Sequence, residues 1–316
     1  MASSRNGRPR WPLVESLNAT VPLLPRALFS RRAVADVRRI ARSVRGSCDA
    51  FGFECHLRPD VDRVDLGVRL TPQQIAADRR PSWIRRFTTD PAGFCRRVSF
   101  VFLEYDADCS PRSPTASIFL GLQPAHQRFE DVKRLLSDVM APDRIASYEP
   151  ALARCFDELP RGARILVAGA LRGRSPANAR LSVSIPRRRI GAYLNRLGFG
   201  DCVREVSKLV RALDPHGSPA VIDFDVGMEI GPKVGVHFPT AEERLLDRLI
   251  DRGVCTAARK LAVRAWPRVA TVNLWKRGWP CRLQRYLNHV KVTCTGEGPR
   301  EAKAYLGVSL GLCLIR

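Results

Sequence analysis

The chain has 316 residues, 45% hydrophobic and 27% charged. That balance excludes the disordered and fibrous classes and allows either two ordinary domains or one large one. No apolar run reaches the roughly 18 residues of a membrane-spanning helix, and the opening MASSRNGRPRWPL lacks the apolar core of a signal peptide, so a cytoplasmic protein is expected. Lys plus Arg number 53 against 31 acids, a net charge of +22, which calls for anionic partners. Of the 53, however, 46 are arginine, an excess that GC-biased coding also produces.

Ten cysteines contain no CxxC pair, and five histidines form no HExxH or HxH. Zinc ribbons, redox dithiols and preassembled metal sites therefore lack sequence support. Reduced thiols, no metal and no cofactor are expected. Neither a P-loop nor a GxGxxG loop occurs.

In chain order, residues 1–30, with RNGRPR, read as a basic mobile arm. Val34, Val37, Ile40 and Val44 then recur at helical spacing. The first hairpin pairs Phe53 to Leu57 with Val64 to Thr71 around Arg58-Pro59-Asp60, and the second pairs Val98 to Asp106 with Ser117 to Gln123 around CSPRSPT. A helix follows on Phe129, Val132, Leu136 and Met140. The third hairpin pairs Arg164 to Leu171 with Arg180 to Ile185 around RGRSPAN. Pro186 opens a helix ending near Gly198, and Val203, Val206, Leu209, Val210 and Leu213 mark another. The fourth hairpin pairs Val221 to Glu229 with Lys233 to Phe238. Thr240 with Glu243 suggests a capping box before Leu245, Leu246 and Leu249. The fifth hairpin pairs Val290 to Thr295 with Lys303 to Ser309, turning at GEGP. Alternation on both sides of a breaker is the hairpin signature.

Five hairpins among helices make an α+β protein of ten mostly antiparallel strands. Each strand has an apolar face that helices can cover and a polar face that needs water. Closing the sheet removes its edges and gives the polar face a wet lumen. A ten-stranded antiparallel β-barrel built from five helix-hairpin-helix units, with an outer helical ring, is therefore expected as a single domain over 31–316. Two split α+β domains are the alternative.

This rhythm resembles the ABBA prenyltransferases, which include indole enzymes and the cyanobactin-type peptide prenyltransferases. FECHLRPDVDRVDLGVRL, Phe53 to Leu70, is similar to the first hairpin of the peptide enzymes, with a carboxylate before a turn and an Arg on the return strand. AKAYLGV, Ala302 to Val308, resembles a Lys-any-Tyr strand that holds diphosphate, and HVKVT, His289 to Thr293, resembles the basic strands beside it. The third hairpin departs from the pattern, with Arg180, Ser182 and Ser184 where several basic residues stand in the peptide enzymes.

The resemblance implies metal-independent transfer of a prenyl group from an isoprenoid diphosphate to an aromatic or peptide side chain. Without DDxxD, inward cations must neutralise the diphosphate, and Arg69, Arg180, Lys233, Lys291 and Lys303 are the candidates, with His237 and Tyr305 sharing their faces. Tyr105, Tyr305 and Trp275 could shield an allylic cation. Glu54 is the candidate base, with Glu104, Asp106 and Asp223 as alternatives. From other classes come a noncatalytic accessory protein for an anionic or peptidic partner, as in peptide natural-product maturation, and a nucleic-acid binder. The last ranks lowest, because no zinc finger, RNA-recognition aromatic signature or basic heptad helix is present.

Overall fold

A computed structural model describes residues 11–44, 46–48, 50–77, 90–109, 114–174, 178–213, 219–274 and 279–312. Over these the strands are β1 (Trp11–Pro12), β2 (Ser47–Cys48), β3 (Ala50–His56), β4 (Val64–Leu70), β5 (Val98–Tyr105), β6 (Ser117–Leu122) and β7 (Arg164–Ala170). They continue as β8 (Ala179–Ile185), β9 (Ala220–Val226), β10 (Val234–Phe238), β11 (Arg268–Leu274), β12 (Trp279–Thr295) and β13 (Gly298–Leu312).

All five expected hairpins form: β3/β4, β5/β6, β7/β8, β9/β10 and β12/β13. Successive hairpins also pair antiparallel, and β12 returns to β10 from Val234↔Cys294 to Phe238↔Val290. That ladder closes ten strands into a barrel, so their backbone groups find partners all the way round. One sheet threads every hairpin, which rules out two separate sheets.

Alternation decides which side faces what. On β3, Phe51, Phe53 and Cys55 point outward and are at most 3% exposed, while Gly52, Glu54 and His56 take the inner face. On β9, Ile222, Phe224 and Val226 point outward against Asp223 and Asp225 inside. Helices Arg31–Val44, Phe129–Val139, Pro142–Asp157, Gly200–Leu213 and Glu243–Asp251 lay their apolar stripes on the outer face, and strands and helices share one hydrophobic cluster. Each large side chain buried there contributes about 1.5–3 kcal/mol. The core is thus a cylindrical shell, and the lumen is free for polar groups.

Three features differ from expectation. Residues 11–30 are packed: Leu13 and Leu17 of helix Leu13–Thr20 are buried, and the Trp11 indole N–H donates to the Leu310 carbonyl at 3.2 Å. The apolar spacing of that helix outweighs its basic flank, and residues 1–10 lie outside the described residues. The capping box at Thr240 does not form, because the helix starts at Glu243 with Glu242 at its N-cap and no side-chain cap. Strand β11 was not anticipated. It pairs with the first half of β12, which runs 17 residues and carries the sheet past the barrel. Among the described residues no helix is long and apolar enough to cross a membrane, and the described cysteines are free thiols.

Candidate active site

The upper lumen is walled by rings lying on glycines. Phe100, Phe119 and Tyr286 stand in register opposite Gly121, Gly169 and Gly307, and Phe102 leans diagonally over Gly67. A β-carbon at Gly121 would come within 2.2 Å of the Phe100 ring, and one at Gly67 within 2.1 Å of Phe102. A ring resting flat on a strand glycine covers backbone that has no side chain of its own. The rings therefore fold against the wall, leaving a cavity of about 330 Å³. Arg69 stands there with its guanidinium 5.2 Å from the Phe100 ring centre.

The lower lumen is an ion network. Lys303 Nζ donates to Glu54 Oε1 at 2.6 Å and lies 3.4 Å from Glu301, and Lys291 Nζ donates to Asp223 Oδ2 at 3.0 Å. His237 Nε2 lies 3.0 Å from the same Asp223 oxygen, and Arg180 Nε donates to Asp225 at 2.6 Å. Arg174 bridges Glu104 at 3.0 Å and Asp106 at 2.9 Å. The Tyr305 hydroxyl donates to Glu54, and the His289 ring stacks between Tyr305 at 4.1 Å and His237 at 4.5 Å.

Charge states follow from these contacts. Burial pushes the Glu54 carboxyl up, but Lys303 and Lys291 hold it well below the ordinary range. Asp223 is likewise held low by Lys291 and His237 against its burial. Glu104 goes the other way: burial and the Glu54 charge push it up to about 8 despite Arg174, so it is protonated at neutral pH. Burial, His237 and Lys291 hold His289 well below its ordinary value, which keeps the stacked ring neutral.

The structure therefore gathers Glu54, Arg69, Arg180, His237, Lys291, Lys303 and Tyr305 in one lumen, together with Glu104, Asp106 and Asp223. Lys233 is a correction. It lies in the turn before β10, exposed, in an outer groove with Asp201, Glu297 and Arg300, because the strand that would carry it inward begins at Val234. Tyr105 is a second correction: it is 4% exposed in the outer core, one place out of phase with Glu104. Trp275 lies outside the described residues. Sequence reasoning missed the lining rings Phe100, Phe102, Phe119 and Tyr286. Their signal was present as aromatics on the inner face of β5, β6 and β12, with glycine in register opposite Phe100, Phe119 and Tyr286. It also missed that Glu54, His56 and Asp65 converge, with one ligand atom from each within 4.8 Å of the others.

No protein-family model and no curated sequence matches the chain. Solved structures do. A 5-dimethylallyltryptophan synthase from Streptomyces coelicolor superposes with a TM-score of 0.54 at 14% identity, over 93% of this chain and 95% of that one. The prenyltransferase PriB in its apo form gives 0.56 at 13% identity, over 94% of each chain. AnaPT from Neosartorya fischeri gives 0.52 at 12%, over 95% of this chain and 92% of that one. A closed antiparallel ring of ten strands with helices outside, superposing on these structures over more than nine-tenths of its length, gives this chain the ABBA prenyltransferase barrel fold.

Proposed function

We propose that the protein transfers a prenyl group from an isoprenoid diphosphate to an aromatic acceptor, free or carried in a peptide, without a metal ion. The observation that carries this reading is Glu54: an ionised carboxylate, 5% exposed, held by Lys303 and Tyr305 directly beneath an aromatic-walled cavity. In this reading Glu54 takes the proton that the acceptor ring loses. Arg69, Arg180, His237, Lys291 and Lys303 face the diphosphate. Tyr305, with its ring stacked on neutral His289, shields the allylic cation by its π face.

Donor binding and base strength are then linked. When a diphosphate draws Lys303 and Lys291 away, Glu54 loses the charges that keep it acidic, while burial and Asp65 remain to raise its proton affinity. The base strengthens as the donor arrives. Charge-assisted bonds to the growing negative charge on the leaving oxygen act more strongly in the transition state than in the bound donor, which is where they accelerate ionisation. Support from outside the chain comes from the solved ternary complex of PriB with L-tryptophan and dimethylallyl thiolodiphosphate, a protein 12% identical to this chain.

One observation favours the second reading, a noncatalytic barrel, in its form with a peptidic partner. Lys291, Lys303 and Arg180 are each already matched by a carboxylate, whereas Arg69 lies over the Phe100 ring and meets no carboxylate among the described residues. The deciding experiment incubates the protein with dimethylallyl or geranyl diphosphate and tryptophan or a Trp-containing peptide, and follows products by mass spectrometry. An adduct heavier by one isoprenoid unit supports transfer. Binding of the Trp-containing peptide by calorimetry, with neither donor binding nor any adduct, supports the second reading, and binding of neither would remove both.

A further inference from the structure

Below Glu54 the lumen holds two buried side chains, His56 and Asp65, that the proposed prenyl transfer does not use. Glu54 and His56 alternate on β3, and Asp65 stands in register opposite Glu54 on β4, which puts all three on the inner face. A carboxylate oxygen from each acid and a ring nitrogen of His56 lie within 4.8 Å of one another, and all three residues are buried. Two features go beyond clustering. Asp65, 0% exposed, spends one oxygen on Arg63 at 2.8 Å and the Ala107 amide at 2.7 Å, and its Oδ2 is buried without a hydrogen-bond partner. His56, 9% exposed, has Nδ1 at an ion-pair distance of 2.9 Å from Glu301, and both of its ring nitrogens are buried without a hydrogen bond.

We propose that Glu54, His56 and Asp65 form a binding site for a borderline divalent transition-metal ion such as Zn²⁺, Mn²⁺ or Co²⁺. Two carboxylates offset the charge of a dication, and one imidazole selects this class over Ca²⁺ and Mg²⁺, which take oxygen ligands. Glu301 plays the part of the outer carboxylate that orients a ligating histidine through its other nitrogen. The site has three protein ligands, with Glu54 bordering the cavity above, so it is open on the lumen side. The ion's competitor is Lys303. Its ammonium now holds Glu54, and with Glu301 3.4 Å away it has a second carboxylate to turn to when a cation displaces it. Occupancy would take Glu54 away from proton transfer. That consequence, unlike the binding itself, rests on the reading of Glu54 as the base, so the test reads binding alone.

The test titrates the full-length protein with Co²⁺, followed by its visible d–d absorption and by calorimetry, with Zn²⁺ as competitor. One ion per chain is expected, displaced by Zn²⁺. His56→Ala should abolish the bands, Glu301→Gln should weaken affinity about 10–100-fold, and Lys303→Met should tighten it. Thermal melting of each variant checks folding, and Glu301→Gln, which leaves all three ligands in place, keeps the proposal open to refutation if His56→Ala does not fold. Absence of bound-ion absorption up to millimolar Co²⁺ overturns the site. So does an affinity that neither His56→Ala nor Glu301→Gln changes.

Discussion

The upper and lower lumen solve the same problem in opposite ways. Both are made of inward-facing strand positions, which no helix can cover. Above, Phe100, Phe102, Phe119 and Tyr286 lie over glycines of neighbouring strands, so rings cover the bare backbone and space is left over. Below, Glu54, Asp223 and Asp225 each meet a cation, so the interior fills with paired charge. A wall of rings creates room for a ligand but gives it little direction. A floor of ion pairs supplies direction and charge, and every new contact there must displace an old one. Binding chemistry belongs where the two meet, at Glu54, Tyr305 and Lys303.

The largest expected effect breaks that junction. Glu54→Gln keeps the shape of the side chain and removes the base, so transfer should fall by roughly 10²–10⁴ while calorimetric donor affinity stays nearly intact. Transfer at the parent rate would move the base to Asp106 or Asp223, since Glu104 holds its proton at neutral pH. Lys303→Ala should act on the donor instead, weakening its binding by about 1.5–3 kcal/mol for one lost charge-assisted bond and slowing ionisation too. Unchanged donor affinity there would take Lys303 out of the diphosphate site. This variant also leaves Glu54 buried without its cation, so a lowered melting temperature is expected.

The ring wall is tested by filling a glycine. Gly121→Leu drives a side chain into the seat of Phe100, and the overpacking should cost about 1–3 kcal/mol of stability, read from denaturant midpoints, with loss of ligand volume. A variant as stable as the parent would mean that Phe100 does not rest on Gly121.

Smaller effects come from pH. Folded Glu104 titrates at about 8, whereas an unfolded glutamate titrates near 4.3. The folded chain therefore holds a proton that the unfolded chain releases. The stability this contributes is complete below about pH 4 and is lost as pH rises through about 8. Glu301, held down to about 2 by His56 and Lys303 against its burial, works in the other sense, and its contribution is lost as pH falls through about 2. Melting curves between roughly pH 5 and pH 8 should show the Glu104 slope, and Glu104→Gln should flatten it. The smallest effect expected is that of EDTA. If Lys and Arg hold the diphosphate, chelation leaves turnover unchanged or slightly raised, and loss of turnover restored by Mg²⁺ would overturn the metal-free reading.

Much of this was legible in the residues, for a physical reason that differs from one part to another. A half-buried strand writes its two faces into alternate positions, so Ile222, Phe224 and Val226 against Asp223 and Asp225 declared both a strand and its polar side. Five such hairpins with no spare edge implied closure. Strand β11 was not legible, because RVATVNL buries little and its pairing depends on how far β12 extends. Residues 11–30 were read into the mobile arm because charge was weighed over the spacing of Leu13 and Leu17. Lys233 has the right parity for the lumen and the wrong height, and height along a barrel axis is fixed by register between strands and not by any one strand.

By itself the sequence determined the hairpins, the outer apolar shell and the sign of the inner face, since these rest on local periodicity. Only the tertiary structure decided which charges meet. Lys303 reaches Glu54 across 249 residues and Lys291 reaches Asp223 across 68. The convergence of Glu54, His56 and Asp65 likewise depends on the β3/β4 register. Pairings of that kind are set by the stagger with which ten strands close, and closure is a property of the whole sheet.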